Sequence, residues 1–110
     1  RSRGLGDVYK RQTPKLRFDI LEQVEKNTEL PLVLHGGTGI TPDDFVRCSH
    51  TGIKKINIAT ATFDSVEHTV KDAYKNDKIS GYYDLQAAEV EGAYQNAKRH
   101  ILIFGTDNKA

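Results

Sequence analysis

A chain of 110 residues can bury one small core. Its formal charge of +1 is uneven: Arg1, Arg3, Lys10 and Arg11 stand against Asp7 alone in the first twelve residues, so that stretch holds +3 and the remainder −2. The basic tilt belongs to the leader, which removes net charge as an argument for nucleic acid; no apolar run approaches the roughly eighteen residues of a membrane span, and no signal-peptide core is present. The lone cysteine, Cys48, cannot form an internal disulfide. Set among Phe45, Val46 and His50, it reads as a buried inert thiol rather than a nucleophile. These features predict a soluble protein in a reducing, cytoplasmic setting.

Residues 1 to 12, RSRGLGDVYKRQ, have no apolar periodicity. The run Asp7-Val8-Tyr9-Lys10-Arg11-Gln12 looks like a translated sequencing adaptor, so residues 1–12 read as a disordered, non-native leader and residues 13–110 as the protein proper. The alternative is a native basic arm. On the leader reading the natural chain starts upstream of Thr13 and this one is truncated.

Thr13 to Phe18 alternates Leu16 and Phe18 with Lys15 and Arg17, which predicts an extended segment. Asp19 is the expected N-cap of the next helix, with Glu22 as its capping-box partner, and Ile20, Leu21 and Val24 supply a buried stripe to about Asn27. Thr28, Glu29 and Leu30 then turn the chain. Leu32, Val33 and Leu34 are apolar without alternation, as in a parallel strand covered on both faces, and Pro31 is tolerable at its first residue. His35 follows at the strand's carboxyl end, where parallel α/β folds bind ligands, and Gly36, Gly37 and Gly39 leave backbone N–H groups free to approach an anion. A strand-to-helix turn needs glycine in any case, and a histidine there can be merely structural.

Thr41 is the expected N-cap of a helix from Pro42 to about Ser49, with Pro42 at its first position and Gly52 as a stop. The pattern then repeats. Residues 53–60, from Ile53 through Ile56 and Ile58 to Thr60, read as a second strand ending in small polar residues. Phe63, Val66, Val70, Ala73 and Tyr74 mark an amphipathic helix ending near Asn76. After the connection Asp77 to Gly81, Ala87, Val90, Tyr94, Ala97, Ile101 and Phe104 form the most regular stripe in the chain, closed by Gly105. Such a stripe predicts core packing or a helix partner surface. Two strand-loop-helix units in succession imply parallel strands joined by a right-handed crossover, and a two-stranded parallel sheet is not a finished domain.

The run Pro31-Leu32-Val33-Leu34-His35-Gly36-Gly37-Thr38-Gly39, the run Lys55-Ile56-Asn57-Ile58-Ala59-Thr60, and the closing Ile103-Phe104-Gly105-Thr106 together resemble the class II, zinc-dependent ketose-bisphosphate aldolases. The resemblance spans Thr13 to Ala110. It implies an α/β fold, the last two βα units and terminal helix of an eight-stranded barrel that needs roughly 250 residues when complete. It implies a zinc ligand at His35, and substrate or phosphate contacts from Gly36, Gly37, Thr38, Asn57, Ala59 and Thr60. Thr38 stands where serine is commoner, which keeps the hydroxyl. Ala59 stands where one branch of the family has aspartate, and the Asn-Ile-Ala-Thr form is similar to the tagatose-type and bacterial fructose-type branch.

The implied activity is reversible cleavage of a fructose or tagatose 1,6-bisphosphate into dihydroxyacetone phosphate and glyceraldehyde 3-phosphate. Zinc would polarise the carbonyl, so no Schiff-base lysine is needed. A monovalent cation near the glycine loop and a homo-oligomer, dimer or tetramer, are further implications of the resemblance. The acid/base aspartate and the other zinc ligands are expected upstream, so the chain alone is expected to be inactive. His50, His68 and His100 read as surface or structural residues.

Two other classes of function compete with this reading: a metal-free phosphate-binding piece with a regulatory role, and a structural segment whose terminal helix mediates oligomerisation. An Asp-His pair on an early strand and a further histidine before the His35 strand would decide for the aldolase. Removing residues 1–12 is expected to leave the thermal midpoint unchanged in a melt followed by circular dichroism, whereas a native arm would lower it.

Overall fold

The computed structural model describes residues 15–109, in the order α1 (Phe18–Asn27), β1 (Leu32–Leu34), α2 (Pro42–Ser49), β2 (Ile53–Ile56), α3 (Thr60–Lys75) and α4 (Tyr82–Phe104). The leader reading for residues 1–12 lies outside the described residues.

The strands pair in parallel through Leu32 and Ile53, Val33 and Lys55, and Leu34 and Ile56, with one irregularity after Leu32 that leaves Lys54 without a partner. Alternation along the strands then separates two faces. Leu32, Leu34, Ile53 and Ile56 join Phe18, Cys48, Leu16 and Leu21 in the core. Val33, 46% exposed, and Lys55 lie on the other face, so the cover expected on both faces is absent there among the described residues. A radius of gyration of 17.4 Å, against about 13 Å for a compact domain of this length, describes the same open slab. Among the described residues no helix is long and apolar enough to cross a membrane.

Two boundaries and one helix stop differ from expectation, each for a local reason. Helix α1 starts at Phe18 rather than after an Asp19 cap, so Phe18 is helical and not extended. Both oxygens of Asp19 are taken by the Arg17 guanidinium at 2.7 and 2.9 Å, which holds its carboxyl below the usual range and leaves the helix without a side-chain cap. Strand β2 stops at Ile56, not Thr60, because Asn57 makes its last bond to the sheet, N–H to Leu34 O at 2.9 Å, and then turns its own carbonyl to Gly37 N–H at 3.2 Å. Helix α2 begins and ends as read, with Thr41 Oγ1 accepting from Asp44 N–H at 3.2 Å, but the residue that caps its end is His50. Gly52 is not in the left-handed region and instead starts the sheet by accepting from Leu32 N–H at 2.9 Å.

The largest departure is in α4. The apolar stripe through Ala87, Val90, Tyr94, Ala97 and Ile101 faces outward, with Val90 68% and Tyr94 54% exposed, and the buried face carries Gly92, Asn96 and His100. Close approach of α3 is the reason. A Cβ at Gly92 would lie 2.6 Å from Val66 Cα and 3.0 Å from Ser65 O, so the seam admits only small or hydrogen-bonded residues. Ser65 Oγ donates to Gly92 O at 2.8 Å, and Asn96 Nδ2 donates to Thr62 Oγ1 at 2.9 Å. On α3, likewise, Phe63 and Tyr74 of the expected stripe are exposed. Gly105 closes α4 as read, at φ 62°.

Gly92→Ala is expected to destabilise the fold by about 1–3 kcal/mol through overpacking, outweighing the helix-propensity gain of about 1 kcal/mol. Val90→Ala on the outward face should stay within about 0.5 kcal/mol. Urea unfolding of both variants checks the contrast, and an unchanged midpoint for Gly92→Ala would contradict the seam.

Candidate functional site

The site is built where β1 and β2 end. His35 follows the last residue of β1 and is exposed. The two glycines after it are required for different reasons. Gly36 has φ 72° and open space around a notional Cβ, so glycine supplies the backbone conformation alone. Gly37 is buried, and a Cβ there would stand 3.1 Å from Ile58 Cγ1, 3.2 Å from Ile56 Cγ2 and 3.4 Å from Phe45 Cε1. Phe45, only 2% exposed, is itself held edge-on by Phe104 at 5.0 Å and His100 at 5.8 Å between ring centroids. The far end of α4 therefore supports the glycine loop through one aromatic ring.

Three hydrogen bonds join the loop after β1 to the segment after β2. Gly37 N–H donates to Asn57 O, Asn57 Nδ2 lies 3.1 Å from His35 Nδ1, and Ala61 N–H donates to Thr38 Oγ1 at 3.1 Å. The last is a helix cap supplied from a distance. Ala59 is the N-cap of α3 and has no side chain to offer, so Thr38 satisfies one of the orphan amides. Its oxygen accepts from Ala61 while its proton stays free to donate. Thr60, exposed, is the first residue of α3. Gly36, Gly37, Thr38, Asn57, Ala59 and Thr60 thus gather beside His35 at a helix N-terminus, whose partial positive charge suits an anion.

The other histidines stand apart. His50 caps α2, His68 lies 3.4 Å from Asp72 on exposed α3, and His100 is buried with Nδ1–H donating to Asn96 O at 2.8 Å. Among the described residues no group of three or more His, Cys, Asp or Glu side chains is placed to hold a metal ion. One imidazole fits one position of the three protein ligands that a catalytic zinc uses. Cys48 is fully buried and its thiol is pushed up, first by burial and then by the charge of Asp44, as an inert thiol should be. Sequence reasoning missed the supports, Phe45 beneath Gly37 and the Thr38 cap. Alanine before a helix that starts at a glycine-loop partner was the available signal for the cap.

A histidine at a parallel strand end stands beside a glycine loop and a helix N-terminus, whose partial positive charge suits an anion. The family pattern described as class-II fructose-bisphosphate aldolase matches residues 5–109, and the chain belongs to that family. It is 38% identical over 100 residues to a fructose-bisphosphate aldolase of Staphylococcus aureus, covering 88% of this chain and 34% of that one. It is 32% identical to a sulfofructosephosphate aldolase of Alkalicoccus urumqiensis, covering 94% and 36% respectively. The crystal structure of the YdjI aldolase from Escherichia coli K12 superposes with a TM-score of 0.78 at 31% identity, over 88% of this chain and 36% of that one. The chain therefore spans about a third of the length of these relatives.

Thr38→Val should cost about 1 kcal/mol as the cap on Ala61 N–H is lost, and Thr38→Ser should not. Thermal unfolding of the two variants measures the difference; equal midpoints would remove the capping role.

Proposed function

We propose that this chain is the last two βα units and terminal helix of a class II aldolase barrel, supplying one zinc ligand and the phosphate-binding loops for reversible cleavage of a fructose or tagatose 1,6-bisphosphate. The products are dihydroxyacetone phosphate and glyceraldehyde 3-phosphate. The observation that carries the reading is the joining of the His35 loop to the α3 N-terminus through Asn57 and Thr38. The open face with Val33 and Lys55 is then the barrel interior. His35 would hold zinc together with ligands from elsewhere in the whole protein, and zinc bound there supplies Lewis acidity toward the ketose carbonyl.

The chain's own residues bind and orient. Gly36 and Gly37 let the backbone approach the phosphate, Thr38 and Thr60 offer hydroxyl donors, and the N–H groups that open α3 face the same anion. Ala59 keeps that approach free of a competing side chain. Relatives named for fructose bisphosphate and for sulfofructose phosphate share this segment. That fits a role in holding the phosphorylated ketose half common to both names, with discrimination between sugars made elsewhere. The outward stripe of α4 would be covered by a second copy in a dimer or tetramer.

In the whole enzyme, His35→Ala and Thr60→Ala are expected to fail differently. Loss of His35 removes a metal ligand, so zinc content and turnover fall together. Loss of Thr60 leaves zinc bound, raises KM and lowers kcat/KM by the equivalent of about 1.5–3 kcal/mol, a hydrogen bond to a charged group. Metal analysis with steady-state kinetics decides it. Full zinc content and near-normal turnover in His35→Ala would make the histidine a structural strand end.

A further inference from the structure

Among the described residues the buried polar side chains are Asn96 and His100, both on α4, and Asn96 is bonded in two directions. Its side-chain amide donates to Thr62 Oγ1 at 2.9 Å, in the first turn of α3, while its carbonyl accepts from His100 Nδ1–H at 2.8 Å. An apolar residue would fill the same place, but a buried amide adds a bond that holds in one alignment only. Each of the two bonds leads to one wall of the loop cluster. Thr62 follows Ala61, whose N–H is taken by Thr38 Oγ1 at 3.1 Å, so the first turn of α3 is gripped by the glycine loop on one side and by α4 on the other. His100 stands edge-on to Phe45 with centroids 5.8 Å apart, and Phe45 is the ring on which Gly37 rests.

Thr38 therefore joins the two walls directly, and Asn96 joins them from behind. We propose that Asn96 is a positioning residue for anion binding, which sets the spacing between the glycine loop and the N-terminus of α3 without touching the ligand. The proposal rests on the reading of these two elements as a phosphate seat. Backbone N–H groups on separate elements hold one phosphate well only when their spacing is fixed beforehand, because a loose wall has to be ordered at each binding event. Without the Asn96 bond, Thr38 is left as the polar tie between them, and α3 is free to rock about it.

The test is titration of the 15N-labelled 110-residue chain with inorganic phosphate at constant ionic strength, read from the backbone amides of Gly36, Gly37 and Thr38 and of Thr60, Ala61 and Thr62. In the wild-type chain the two groups are expected to shift together with one dissociation constant. Asn96→Leu, similar in size without the amide, and Thr62→Val, which removes the same bond from its other end, are each expected to weaken phosphate binding about tenfold. Both act through one bond, so the double variant should be no weaker than either single one. Ser65→Ala removes the next seam bond, to Gly92 O at 2.8 Å and one turn farther along α3, and is expected to lower the thermal midpoint while leaving phosphate affinity unchanged. Dispersed amide spectra report that each variant keeps its fold, and Thr62→Val carries the comparison if Asn96→Leu does not.

Wild-type phosphate affinity in the folded Asn96 and Thr62 variants, or an equal loss in Ser65→Ala, makes Asn96 a packing residue and overturns the proposal. Fully additive losses in the double variant overturn it as well. A wild-type chain whose loop amides do not move with phosphate overturns the phosphate seat itself and the positioning role with it. Binding by the wild-type chain that the variants fail to weaken overturns the positioning role alone.

Discussion

The absence of a side chain at Gly37 is the constraint on which the rest of the site depends. With nothing between them, the loop backbone lies on Ile56, Ile58 and Phe45, and its N–H reaches the Asn57 carbonyl. That contact sets the exit of β2, brings Asn57 over His35, and puts Thr38 within reach of the first turn of α3. A methyl group at this position would have to push apart two isoleucines and a buried ring, and the two strand ends would separate.

Support for this point comes from across the molecule. Phe45 stands between the glycine loop and α4, and it is held there by Phe104 and His100 rather than by the strands. His100 is fixed in turn by its bond to Asn96 O, and Asn96 is tied to Thr62 on α3. Helix α3 is the same helix whose N-terminus faces the site. The hairpin of α3 and α4 thus closes a circuit of contacts that begins and ends at the two loops, and its tight seam at Gly92 keeps that circuit short.

The polar seam also explains why so much apolar surface is turned outward. A helix pair that meets through glycine, serine, threonine and asparagine has no use for Val90, Tyr94 or Ile101 at its interface. Those residues, like Val33 on the open face of the sheet, are left exposed among the described residues. The chain spans about a third of the length of its relatives.

Local chemistry was legible in the sequence. The Thr41 cap with Pro42, the glycine stop at Gly105, the apolar Leu32 to Leu34 strand, and the histidine with its glycines each depend on residues within a turn of one another, and each formed as read. Family membership was legible for the same reason, because it is carried by short runs in fixed order. What only the tertiary structure decided involves distant partners. The start of α1 went to an Arg17–Asp19 pair, the end of β2 to a carbonyl wanted by Gly37, and the cap of α3 to a hydroxyl 23 residues away. The inward face of α4 was chosen by how closely a second helix can approach. Periodicity reports which residues share a face, but the choice of face belongs to the neighbour, and here the neighbour required glycine and asparagine where the stripe offered valine and tyrosine.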